Sequence, residues 1–355
     1  MNRRKTLSLA FALTLGAHLA LAAPVDDALE GFVPSCSQEA STSTEKLDLP
    51  LPTGWTSRLI RIASDDLSCA GQQLEIRAGS RIYVGYPWVI AGYGGSAQKR
   101  IEAFAWERLQ QSVKAEVSAN VDERGMRRAT AVQLTDWGPV PLEGWVDSND
   151  TVFFPGDFYT LNADIETVRR DRLSPLLEDL PTQGDPEAEV ELIEFSDFQC
   201  PSCKRAAGFM DDIIRKYGDR LVYRRIDFPL FQGHPWAFPA AVMGRAIHRQ
   251  SSEAFWTFKK AVYASQSEIN TFTIGDFARG IAKDYDLDLA RYDADVQSAE
   301  LRNEIAEGIT IATGLQIVGT PTFWVNGRMV SPGVDGAHLD AYIAKAVGDS
   351  SNVTR

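Results

Sequence analysis

The sequence predicts an α/β protein: a sheet with helices on both faces, interrupted by an inserted helical subdomain and preceded by a smaller α+β domain. Three observations lead there. At 355 residues the chain exceeds one ordinary domain. A turn-rich seam, Leu180-Pro-Thr-Gln-Gly-Asp-Pro186, divides it. Beyond the seam the apolar runs follow the order βαβ, a long helical stretch, then ββα.

Residues 1–22 combine a basic start (Arg3, Arg4, Lys5) with an apolar run from Leu7 to Leu21 and a terminal Ala20-Leu21-Ala22. That pattern predicts a cleaved secretory signal peptide and an exported, periplasmic protein that is soluble after cleavage. No later segment has the roughly 18 apolar residues a membrane span needs. Residues 23–44, rich in Ser, Thr and Glu, read as a mobile segment.

Residues 45–163 read as the α+β domain. Short β-like runs at 58–63, 74–84, 129–134 and 151–154 surround a helix capped by Ser96, with Ile101, Ala105, Leu109, Val113 and Val117 on one stripe. Residues 164–186 read as a helix and linker, with Ile165, Val168, Leu173, Leu176, Leu177 and Leu180 at helical spacing.

Residues 187–349 carry the larger domain. A strand at Val190–Ser196 leads to a helix beginning near Pro201 and a strand at Leu221–Asp227. A helical insertion then occupies 235–313. A strand at Thr322–Val325, an Asn326-Gly327 hairpin turn, a strand at Arg328–Ser331 and a helix from Gly336 to Val347 complete the order. This is the element order of a thioredoxin-like fold.

The chain has four cysteines, all beyond residue 22. In an oxidising compartment an even number favours disulfides, and Cys36 with Cys69 is expected to form a structural one. An auxiliary redox pair is the alternative for those two. A zinc site would want a second closely spaced pair, whereas Cys36 and Cys69 lie 33 positions apart. No metal is therefore expected. The formal charge of −12 becomes −15 without Arg3, Arg4 and Lys5, so the chain has no basic footprint for nucleic acid or anionic lipid.

Residues 195–203, FSDFQCPSC, hold the remaining two cysteines. A strand followed by a helix sets Cys200 at the N-cap and Pro201 at the first helical position. The free backbone N–H groups and the helix dipole then stabilise the Cys200 thiolate. Cys203, one turn on, is expected to be more buried and to resolve what Cys200 attacks. A structural staple closing so short a loop would gain little from chain entropy. Ser202, the other member of the active-site dipeptide, offers a weak hydroxyl donor, which predicts a milder oxidant than a histidine there would give. Glu194 falls in a strand expected to be buried on both faces. A carboxylate there is costly unless used, and its expected role is to relay the proton of Cys203 with a pKa raised by desolvation. In Gly319-Thr320-Pro321-Thr322-Phe323 a proline opens a strand, and only an X-Pro bond is a candidate for cis there.

FSDFQCPSC with Glu194 before it, DFPL at 227–230, HPWAFPAA at 234–241, Phe255-Trp256 and VGTPTFWVNGR at 318–328 together resemble the DsbA family of exported thiol–disulfide oxidoreductases, over residues 185–349. The resemblance implies Cys200 as attacking and Cys203 as resolving cysteine, and a cis Thr320-Pro321 bond. It also implies client docking at Thr320 and Pro321, and no cofactor beyond the redox-active disulfide. Its partners would be exported proteins with thiols or disulfides and a membrane redox partner. His234, Trp236 and His248 read as structural. Residues 129–163 bear a weaker similarity to the end of the dimerisation domain of the DsbC and DsbG isomerases, in Pro139-Val-Pro-Leu-Glu-Gly144 and Phe154-Pro-Gly-Asp-Phe-Tyr159. Homodimerisation and client binding are the two roles this leaves for the N-terminal domain. Net oxidation of protein thiols is the expected function. The alternatives are a dimeric isomerase or reductase, and a chaperone that kept the fold without the chemistry.

Overall fold

The computed structural model describes residues 29, 31–34, 41–63, 70–330 and 335–353. The expected signal peptide and both Cys36 and Cys69 lie outside the described residues.

The N-terminal half is built on two antiparallel sheets. The first has the order β1-β2-β3-β4-β10, from Ser41–Lys46 (β1), Trp55–Ala63 (β2), Ala70–Ala78 (β3), Arg81–Gly85 (β4) and Tyr159–Thr160 (β10). The second has the order β5-β9-β8-β7-β6, from Trp88–Val89 (β5), Val113–Val117 (β6), Met126–Thr135 (β7), Gly138–Asp147 (β8) and Val152–Pro155 (β9). One helix, Ala97–Leu109 (α1), covers the second sheet, burying Ile101 and Ala105 among Trp88, Val146 and Phe153. Ile76, Tyr83, Met126, Val152 and Phe154 form a core cluster drawn from both sheets.

Four expectations change here. Residues 41–44, expected to be mobile, belong to strand β1, which is paired along its length with β2. The run 74–84 is two strands, because Gly79 at φ +62° turns the chain into a hairpin. Val113 and Val117 belong to strand β6 rather than to the helical stripe, since Gln110 adopts a left-handed conformation and ends α1. Ser96 occupies the N-cap of α1 but its side chain makes no capping bond.

Between the halves, Ile165–Leu177 (α2) begins at Asp164, whose side chain accepts the Thr167 N–H. Its Ile165 packs with Ile60 and Ile82 of the first sheet, while Leu173 joins the C-terminal core. The expected linker is thus a packed bridge. Thr182–Gln183 (β11) even adds an edge strand to the next sheet, antiparallel to Leu221–Asp227 (β13).

The C-terminal sheet has the order β11-β13-β12-β14-β15, with Val190–Ser196 (β12) central, parallel to β13 and antiparallel to Thr322–Val325 (β14); Arg328–Val330 (β15) closes it. Pro201–Tyr217 (α3) follows β12 and packs against Gly336–Val353 (α9), with the Tyr217 hydroxyl donating to Asp340 O at 3.0 Å. The insertion comprises Ala237–His248 (α4), Ser252–Ala264 (α5), Ile274–Asp284 (α6), Leu289–Gln297 (α7) and Ala299–Gly314 (α8).

The halves meet through α8 and the segment after it. Thr310 Oγ1 donates to Pro141 O of β8 at 2.8 Å, and Gln316 Nε2 to Pro155 O at 2.6 Å. At the β7–β8 turn Trp137 stacks on Phe238 of α4, centroids 6.0 Å apart. Segment 139–144, the one with the isomerase-like similarity, is therefore engaged within the chain.

Candidate active site

Strands β12 and β13 run parallel to Ser196 and Asp227, and the chain leaves β12 through Asp197-Phe198-Gln199 into α3. Cys200 is the N-cap of α3 (φ −71°, ψ 122°) and Pro201 its first residue. The Cys200 Sγ donates to Thr320 O at 3.3 Å, which sets it against the loop where Thr320-Pro321 is cis. Cys203 is fully buried and its sulfur accepts the Asp197 N–H at 3.4 Å.

The two sulfurs are opposite in acidity. A hydrogen bond from Cys203 pulls the Cys200 thiol down to about 5, outweighing its burial, and the backbone N–H groups of Cys203 and Ser202 assist. Burial pushes the Cys203 thiol well above its usual range, and its bond to Cys200 and the nearby Glu194 charge add to that. At neutral pH the reduced pair thus carries one thiolate, on Cys200. The Ser202 hydroxyl accepts a bond from Arg205 Nη2 at 2.7 Å.

Glu194 is wholly buried as expected, but its ionisation is not what the sequence suggested. Burial alone would raise it; the Lys259 ammonium and then the Arg225 guanidinium more than reverse this and hold the carboxyl below the usual range. Lys259 Nζ lies 3.5 Å from Oε2, Ser196 Oγ donates to Oε1 at 2.6 Å, and the Tyr223 hydroxyl bonds Oε2. Arg225 also pairs with Asp227 at 3.1 Å and stacks over Phe198 at 4.1 Å. Desolvation loses because two buried cations surround one carboxylate. Glu194 reaches Cys203 through the Ser196 hydroxyl, as a fixed negative charge rather than a poised acid.

A second carboxylate supports the turn itself. Asp197, 1 % exposed, accepts the N–H groups of Gln199 (2.6 Å) and Cys200 (3.1 Å) on Oδ1 and that of Leu230 (2.7 Å) on Oδ2, where His234 Nδ1 also bonds at 2.7 Å. Gln266 Nε2 donates to the carbonyls of Phe198 (2.9 Å) and Cys200 (3.1 Å). Asp197, Ser196 and Gln266 were not singled out from the sequence, although Asp197 and Ser196 stand inside FSDFQCPSC. His234 was read as structural, and the structure ties it to the cysteine turn. Its signal was its place in HPW, which does not say that the 228–236 loop folds back on Asp197. The structure brings Cys200, Pro201, Ser202, Cys203, Thr320 and Pro321 together, with Glu194 behind them. Among the described residues no group of three or more His, Cys, Asp or Glu is placed to hold a metal, and no helix is long and apolar enough to cross a membrane.

The central β12, the helix launched from Cys200, the helical insertion and the cis-proline loop give residues 178–345 a thioredoxin-like fold with an inserted helical subdomain. Those residues match the family model Thioredoxin_4, described as "Thioredoxin". Among curated proteins, "Na(+)/H(+) antiporter NhaA 1" of Mycobacterium sp. (strain KMS) is 30 % identical over 159 residues, 44 % of this chain and 25 % of that protein. "Probable disulfide bond formation protein D" of Bacillus anthracis is 28 % identical over 160 residues, 43 % of this chain and 72 % of that protein. The chain thus spans about a quarter of the antiporter's length. Among solved structures, α-DsbA1 of Wolbachia pipientis is 21 % identical, with a TM-score of 0.43 over 50 % of this chain and 96 % of that one. Oxidised BdbD of Bacillus subtilis is 20 % identical, with a TM-score of 0.42 over 48 % and 95 %.

Proposed function

We propose that this protein is an exported thiol–disulfide oxidoreductase that oxidises protein thiols through Cys200 and Cys203. The observation that carries the reading is the asymmetry of the pair: Cys200 drawn down to about 5 at a helix N-terminus, Cys203 buried and pushed up. A low-pKa thiolate is a good leaving group, which favours the reduced pair and makes the disulfide oxidising.

In the proposed cycle a client thiolate attacks the Cys200 sulfur of the disulfide. The Cys200–Cys203 bond breaks, a client–Cys200 bond forms, and Cys203 leaves as a thiolate that takes up a proton. A second client thiolate attacks its partner sulfur in the mixed disulfide, forming the client disulfide and releasing the Cys200 thiolate. Two electrons pass from client to enzyme, and a disulfide-bearing membrane partner would reclaim them. The client backbone would lie beside Thr320 and Pro321. No further cofactor enters this scheme.

Alkylation of the reduced protein near pH 6, read by peptide mass mapping, tests the reading. Cys200 should be modified well before Cys203, and the reverse order would sink it. The cell's resting redox state then sets the direction, mainly oxidised for an oxidase.

A second reading, isomerase or reductase, is favoured by a groove of about 320 Å³ between the halves. Tyr86, Leu109, Phe231 and Val318 are among its lining residues and none of those residues is charged. Val318 lies directly before Gly319-Thr320. The N-terminal half would there contribute client binding, or pair two copies. A mainly reduced resting site, together with a dimer in light scattering, would put this reading first.

A further inference from the structure

We propose that His234 is a positioning residue of the dithiol: as an imidazolium paired with Asp197, it cancels the carboxylate built into the wall of the cysteine turn and so sets how firmly Cys200 holds its negative charge. The inference rests on the proposed role of Cys200 as the attacking thiol.

The geometry is a chain of direct contacts. Asp197 Oδ1 accepts the Cys200 backbone N–H at 3.1 Å, so a buried unit charge abuts the residue that must carry a thiolate. Alone, that carboxylate would oppose the thiolate. With an effective dielectric of about 20, a like charge about 4 Å away raises a thiol by on the order of three pKa units, and one about 8 Å away by about half that. Its other oxygen is held by His234 Nδ1 at 2.7 Å and by the Leu230 N–H at 2.7 Å.

The loop presenting His234 is preorganised. The His234 N–H donates to Leu230 O at 3.0 Å, and the Trp236 N–H donates to Gln199 Oε1 at 2.9 Å, fastening the loop to the same turn. His234 is held protonated above its usual range, first by the Asp197 bond, against partial burial, and also by the Cys200 charge. The other charged or titratable groups at the turn are Cys203, Glu194 acting on Cys203, Arg225 over Phe198 at 4.1 Å, Tyr263, whose hydroxyl donates to Asp197 O at 3.2 Å, Asp227, on which Asp197 acts, and Arg205, which reaches Ser202. Arg205 and Ser202 are on the solvent side, whereas the Asp197 carboxylate is enclosed. A histidine brought from a distant loop thus supplies positive charge that Ser202, within the dipeptide, does not.

Two variants of the full chain separate cancellation from mere packing. In H234Q the Asp197 charge is left uncompensated. The Cys200 pKa, followed by thiolate absorbance, should rise by about one unit, and the glutathione equilibrium should shift about tenfold toward the disulfide, ~30 mV more reducing. In D197N/H234Q both charges are gone, and both readouts should return to within about threefold of the parent. H234K, which keeps a positive charge, should stay near the parent and serves as the comparison if H234Q does not fold. Parent-like values in folded H234Q overturn the proposal. So does a double variant no closer to the parent than the single, or an H234K as shifted as H234Q is expected to be. Alkylation of Cys203 before Cys200 in the parent would instead remove the reading on which the inference rests.

Discussion

Glu194 illustrates how a single side chain changes role with its neighbours. Isolated in a buried strand it would be a protonated acid; between Lys259 and Arg225 it is an anion whose removal leaves those cations under-compensated. Breaking a buried pair from one side is far costlier than never having made it. Glu194→Gln is therefore expected to lower the unfolding free energy by on the order of 3 kcal/mol and to lower the Cys203 pKa, since a nearby negative charge is removed. Urea unfolding and thiol titration of the variant check both; an unchanged unfolding midpoint would show that the cations do not depend on Glu194. The cysteine pattern was legible in the sequence because C-x-x-C, the preceding strand and Pro201 are adjacent in the chain. The cations were not, since Lys259 lies on α5 and Arg225 on β13, and no local spacing links them to residue 194.

At the level of elements, local signals served well where one element dictates its own ends. Strand β12, the start of α3 and strand β13 fall where the apolar runs put them. Strand β8 was missed because Pro139 and Pro141 argue against a strand interior. In the structure those prolines pair with β7 on one side, while β9 pairs only from Gly144 onward. Helix α8 approaches there instead, Thr310 donating to Pro141 O. The same junction depends on Gly156, at φ +85°, where a Cβ would lie 2.3 Å from the Gly314 carbonyl oxygen at the end of α8. Gly156→Ala should destabilise the protein by about 1–3 kcal/mol, from the left-handed backbone together with a contact that only backbone movement can relieve. A shift of the urea midpoint at constant slope would be the signature, and parent-like stability would mean the two halves separate at little cost.

For the whole molecule, the groups whose acidity the fold shifts predict a bell-shaped dependence of stability on pH, best measured in the disulfide form where the two thiols do not titrate. Glu194, Glu102, Asp164 and Asp335 are held below their ordinary values in the fold, so the stability they add is complete above about pH 4.3 and lost as pH falls through their folded values. Asp227, raised by burial, works the other way. His234 is held above its ordinary value, so its contribution is complete below about pH 6.5 and lost as pH rises through its folded value. Thermal unfolding scanned from pH 3 to 9 should therefore be highest between those limits, and a midpoint still climbing above pH 7 would contradict the His234 assignment. The sequence by itself determined the C-terminal element order and the cysteine turn, because strand and helix periodicity, the N-cap and the C-x-x-C spacing all act over a few neighbouring residues. Only the tertiary structure decided that Glu194 is charged, that His234 joins Asp197 beside Cys200, and that the second N-terminal sheet seats on α8. Each of those depends on Coulomb terms and packing between residues far apart in the chain, and such terms act only once the fold has brought the groups together.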